Sequence, residues 1–174
     1  MARGPHGREK GVRYEQVRRG GIPDPYIPRK GLKEPTVCPV CNVIYHKKRW
    51  LWDDALLKKC QSDKDVHYTK CPACRKIEDN FALGKIYLTG SFVSEHFEEL
   101  VNLLKSEERH AMGKNPLERL IKLEKSSDGI YAETTSDALA MRIGHVLQRA
   151  YKGSEESKFR AGDKFLEVRW HRDS

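Results

Sequence analysis

The chain has 174 residues, of which 38% are hydrophobic and 33% charged, with a net charge of +8 and a mean hydropathy of −0.74. That length holds one ordinary domain plus a smaller module. No apolar run is long enough to span a bilayer and no apolar leader follows Met1-Ala2-Arg3-Gly4-Pro5, so a soluble, cytoplasmic protein with no membrane partner is expected.

The charge is unevenly placed. Residues 1–37 carry nine Lys/Arg against four Asp/Glu, and residues 38–74 carry seven against four. Residues 75–174 carry 17 against 17. The whole excess therefore precedes residue 75, which predicts a polyanionic partner engaged by residues 1–74.

Residues 1–37 hold six glycines and five prolines, and their few apolar residues show no sustained period. Such a segment buries too little to offset about 1–2 kcal/mol of backbone entropy per residue. It reads as a basic, disordered or extended tail, stiffened at Ile22-Pro-Asp-Pro-Tyr-Ile-Pro28. Arg3, Arg8, Lys10, Arg13, Arg18, Arg19, Arg29 and Lys30, with Tyr14 and Tyr26 between them, suit a segment that orders along folded RNA.

Two matched hooks follow, Cys38-Pro39-Val40-Cys41 and Cys71-Pro72-Ala73-Cys74, with 29 residues between them. Two residues between cysteines let both thiolates face one point, and a second hook completes a tetrahedral set of four sulfurs for one structural Zn²⁺. Four thiolates leave no open position for water or substrate. Disulfides are disfavoured in a reducing compartment, and the fifth cysteine, Cys60, reads as a buried or half-buried thiol. Within this module (residues 38–80), Asn42–Tyr45 reads as a strand and Arg49–Cys60 as a helix. Trp50, Trp52, Leu56 and Leu57 are expected to pack around the metal. His46-Lys47-Lys48-Arg49 forms a candidate phosphate patch, with Lys47, Lys48 and Arg49 as its cations.

Residues 81–174 alternate regularly. Strands are expected at 83–89, 117–124, 130–134 and 164–170. One helix, capped by Ser94, carries Phe97, Leu100, Val101 and Leu104; a second, capped by Thr135 or Ser136, carries Leu139, Ile143, Val146 and Leu147. The order β-α-β-β-α-β is that of a ferredoxin-like domain, expected to fold without metal. The fold class is thus α+β: a zinc ribbon with a helical insert, then this domain. Tyr87 and Tyr131 lie on central strands, but Glu133 shares their face and argues against an RNA platform there.

The two hooks, the helix Ala138-Leu-Ala-Met-Arg-Ile-Gly-His-Val-Leu-Gln-Arg-Ala-Tyr-Lys-Gly153 and the closing Phe165-Leu-Glu-Val-Arg-Trp170 resemble a known group. Over residues 38–174 the chain is similar to the N-terminal region of the large-ribosomal-subunit export adaptors, and to small prokaryotic zinc-ribbon proteins related to it. It has two hooks where the adaptors have several, and it lacks their downstream domains. The resemblance implies a noncatalytic association with the ribosome or rRNA, in large-subunit maturation or ribosome inactivation, and not nuclear export. The competing expectation is a protein-interaction or regulatory adaptor in which zinc only stabilises the fold. An enzyme is not expected: no Ser/His/Asp set, glycine-rich phosphate loop or open metal site can be assembled, and His96, His110 and His145 stand alone.

Overall fold

The computed structural model describes residues 23–174, and among them five helices and nine strands form two sheets in a mixed α+β arrangement. The first sheet comprises β1 (Thr36–Val37), β2 (Ile44–His46), β3 (Arg49–Leu51) and β4 (His67–Tyr68), in the order β3-β2-β1-β4. Two helices belong to this half, α1 (Asp54–Ser62) and α2 (Pro72–Asp79).

The helix expected from Arg49 begins five residues later. Arg49–Leu51 pair instead with β2, because Trp50 falls opposite Tyr45 and the two buried rings meet edge-on, with centroids 5.4 Å apart. Asp53 then stays extended and its carboxylate accepts the Leu56 N–H at 2.9 Å, capping α1.

The tail expectation also changes for residues 23–37. Thr36 and Val37 are a buried strand, paired to β2 on one side and β4 on the other. Farther back, Asp24 is buried in an ion pair with Lys76 of α2, whose ammonium also donates to the Thr135 carbonyl at 2.8 Å. Tyr26 packs against Phe81, centroids 4.9 Å apart, and its hydroxyl donates to Asp79 at 2.7 Å. These partners lie far away in sequence, so no local period announces them.

The second sheet is built from β5 (Gly84–Thr89), β6 (Leu120–Ser126), β7 (Gly129–Thr134), β8 (Ser154–Phe159) and β9 (Leu166–His171), in the order β6-β7-β5-β9-β8. Helices α3 (Ser91–Glu95), α4 (Phe97–Lys114) and α5 (Asp137–Tyr151) accompany it. Inward residues such as Ile86, Leu88, Ile130, Val168 and Trp170 form one core with Leu100 and Leu104 of α4 and Leu139, Ile143 and Leu147 of α5. Val146, expected on that face, is only half-buried, and Leu147 takes the inward position. Ser136 caps α5 as expected, accepting the Leu139 N–H at 3.1 Å. Ser94 does not cap α4, because residues 91–95 form their own short helix and His96 separates the two. Helix α5 approaches β5 closely at Gly84, where an added Cβ would lie 2.5 Å from the Ala140 Cβ.

The four-stranded expectation gives way to five strands. A helix crossover makes β7 and its successor parallel. Since β7 is antiparallel to β5, a direct β7-α-β9 connection would set β9 antiparallel to β5. Here α5 delivers the chain to β8, which turns back as a hairpin, so β9 runs parallel to β5. Ser154–Phe159 is an edge strand with five of its six residues exposed, and it therefore lacks the apolar alternation that identifies the others.

Candidate metal centre and basic hairpin

Each hook is shaped by its own backbone. At the first, the Asn42 N–H donates to the Cys38 carbonyl and the Cys38 N–H to the Val43 carbonyl, both at 2.9 Å, with Asn42 in the left-handed region at φ 65°. At the second, Cys71 is the extended N-cap of α2 and Pro72 its first helical residue, a position that needs no N–H donor. The turn and the helix start together gather Cys38, Cys41, Cys71 and Cys74, whose sulfurs all lie within 4.8 Å of one another. Cys41 and Cys71 are 3.8 Å apart, and a tetrahedron with Zn–S near ~2.3 Å has an edge of about 3.8 Å. The four residues are thus positioned to hold one metal ion, and the set is compatible with a single structural zinc. Val43, Tyr45, Trp50 and Ala73 wall the cluster, and Leu117 closes it from the second half of the chain.

Every sulfur accepts at least one N–H. The Cys71 amide donates to Cys38 at 3.3 Å and the Cys74 amide to Cys71 at 3.4 Å. Arg119 supplies the other two: its guanidinium donates to Cys74 at 3.4 Å and to Cys41 at 3.2 Å. Without an ion, the sulfurs divide their protons unequally. Cys41 is pulled down to about 4 by the hydrogen bond it accepts from Cys71, with Arg119 adding to the effect. Cys71 is pushed up by that same bond, and burial next to the Cys41 charge lifts Cys74 to about 11. An entering cation must therefore displace protons from the higher members.

Arg119 carries no signal in the sequence, where it is one more charged residue among Leu117, Glu118 and Leu120. Only the fold brings it to the hooks. Cys60 stays apart: it is buried with Val37 and Ile44, and burial pushes its thiol up, with Asp63 adding, as suits an unreactive core residue. Leu56 and Leu57 pack with Cys60 and not around the metal cluster. Trp52 is 43% exposed and donates its indole N–H to the Met112 carbonyl at 3.1 Å. Of the four residues expected around the ion, only Trp50 is there.

The patch beginning at His46 is a two-residue hairpin. His46 pairs with Arg49, and Lys47 and Lys48 between them have φ 52° and 60°, a turn of type I′. The Glu34 carboxylate accepts both lysine amides at 2.8 Å, and these two bonds, that from Lys48 first, hold its carboxyl below the ordinary range. His46 lies 3.7 Å from Glu34 and is outside the metal cluster, as is His67. Lys47, Lys48 and Arg49 are exposed, and no carboxylate among the described residues pairs with their side chains.

Of the expected RNA-contacting residues in the tail, Arg29 and Lys30 are exposed. Tyr26 is half-buried and held against Phe81 and Asp79. Arg3, Arg8, Lys10, Arg13, Tyr14, Arg18 and Arg19 lie outside the described residues.

The open face of the second sheet compensates its own charge. Register places Lys122, Glu133, Lys85, Glu167 and Lys158 in one cross-strand row of alternating sign. In the next row Tyr131 and Tyr87 lie 5.1 Å apart, with the Arg169 guanidinium 4.4 Å above Tyr87, between Glu124 and Glu156. No helix among the described residues is long and apolar enough to cross a membrane. No protein-family model matches the chain, and no curated protein matches it.

Proposed function

We propose that this chain is a noncatalytic zinc protein that associates with ribosomes or ribosomal RNA through residues 1–74, in large-subunit maturation or in holding ribosomes inactive. Its first unit is then a zinc-ribbon-like module (residues 38–80) and its second a ferredoxin-related domain (residues 81–174) extended by one hairpin strand. Four thiolates saturate a tetrahedral ion, which supports a structural and not a catalytic metal. Reduced thiols at such a centre suit the cytoplasm.

The observation that carries the reading is the hairpin tip. A type I′ turn favours Asn-Gly, and a non-glycine residue at positive φ costs on the order of 1 kcal/mol. This turn holds two lysines there, fixed by Glu34 and followed by Arg49. Lysine does nothing for that turn, whereas three adjacent cations whose side chains pair with no carboxylate among the described residues suit phosphate contact. The variant Lys47→Asn/Lys48→Gly separates stability from binding. It should melt higher than the parent, bind ribosomal RNA more weakly, and lower the salt slope of log affinity by about 1.8 if both lysines contact duplex phosphates. Unchanged affinity and slope would remove the hairpin from the interface.

One observation favours the second reading, an adaptor with purely structural zinc and no RNA contact. The alternating charge row and the tilted tyrosine pair of the second sheet suit a polar protein surface better than a phosphate backbone.

A further inference from the structure

Arg119 belongs to the second half of the chain by every backbone contact it makes. Its N–H donates to the Thr135 hydroxyl at 2.8 Å, its carbonyl accepts the Thr135 N–H at 2.9 Å, and its Nε donates to the Pro116 carbonyl at 2.8 Å. The residue is 7% exposed, yet its two terminal nitrogens leave that environment to reach Cys74 and Cys41. A buried guanidinium is tolerated only where charge and hydrogen bonds compensate it. The carbonyl of Pro116 supplies one acceptor, and the sulfurs supply the negative charge. One Zn²⁺ with four thiolates carries a formal charge of two minus, half of which a single arginine neutralises. Among the described residues no other N–H reaches Cys74, since the Cys71 and Cys74 amides serve Cys38 and Cys71.

We infer that Arg119 is the positioning residue that couples the metal centre to the second sheet: the metal-thiolate charge holds the guanidinium, and the guanidinium holds the Arg119–Thr135 edge of the sheet domain. The inference rests on the four-cysteine set holding zinc, and it is independent of RNA binding. A parallel route exists, because Lys76 of α2 donates to the Thr135 carbonyl while Cys71 caps that same helix. The experiment must tell the two routes apart.

Zinc content of the full-length protein is measured first, since a chain without zinc would refute the metal reading itself and not the coupling. Hydrogen exchange is then followed at the Arg119, Leu120 and Thr135 amides before and after chelation, in the wild type and in Arg119→Met and Arg119→Lys. Chelation should speed exchange at these amides about tenfold or more in the wild type, while Ile86 and Leu88 in the sheet core change little. In Arg119→Met the same amides should exchange fast with or without zinc. Arg119→Lys, whose single ammonium lacks the planar fork that reaches both sulfurs and the Pro116 carbonyl, should fall between. Wild-type amides indifferent to zinc would overturn the inference. So would full transmission in Arg119→Met, which would assign the coupling to Lys76. Alkylation of the zinc-loaded proteins provides a second readout: without Arg119, Cys41 and Cys74 should react several-fold faster than in the wild type, with Cys38 and Cys71 little changed. If neither arginine variant folds, Asp24→Asn/Lys76→Met takes their place: zinc-dependent exchange that persists in it supports Arg119, and its loss assigns the coupling to Lys76.

Discussion

Cys71→Ser should abolish zinc binding and unfold the first sheet while leaving the second sheet's core folded. Serine retains the capping function, since its hydroxyl can accept the Cys74 N–H that opens α2. Any collapse therefore reports the lost thiolate and not the lost cap. The strands of the first sheet have only two or three residues each, and its two apolar clusters are small. In so small a module metal binding supplies much of the folding free energy, ~10 kcal/mol or more. The second core draws all its buried residues from 86–170 and should survive. Metal analysis with backbone NMR checks both halves, and Cys60→Ser is the control that should keep one zinc per chain. An intact first sheet without zinc would make the ion dispensable.

Removing residues 1–22 should weaken binding to ribosomal RNA more than any single substitution. That segment carries six Lys/Arg against two Asp/Glu. If all six contact phosphates on single strands, the salt slope falls by about 4, because each contact contributes about 0.7. The cut belongs before Pro23. A chain starting at Glu34 would also lose Asp24 and leave Lys76 buried without its partner, a loss of about 3–5 kcal/mol unrelated to RNA. Filter binding across about 50 to 200 mM salt separates the outcomes. Equal affinity and slope for the full and shortened chains would deny the segment its role and favour the adaptor reading.

The four cysteines positioned to hold a metal were legible because hook spacing is a local property: two residues between cysteines suffice to place both thiols, whatever the rest of the chain does. The core strands β5, β7 and β9 and the helix from Asp137 were legible for the same reason, since their apolar periods lie within single elements. What escaped depends on distant partners. Trp50 reads as helical until Tyr45 is found opposite it. Ser154–Phe159 reads as a loop because an edge strand exposed on both faces shows no period. Tyr26 reads as part of an extended tail until Phe81 and Asp79 are found against it. Arg119 is the extreme case, 45 residues from the nearest ligand in sequence and within 3.4 Å of it in space.

The proposed polyanion recognition by residues 1–74 is tested most directly by sedimenting the zinc-loaded, full-length protein with purified ribosomes at low and high salt. Substantial co-sedimentation at about 50 mM salt, falling steeply by about 200 mM, is expected, with Lys47→Asn/Lys48→Gly showing the shallower fall. Protein that stays in the supernatant at both salt concentrations, with its zinc bound and its fold intact, would contradict the proposed function.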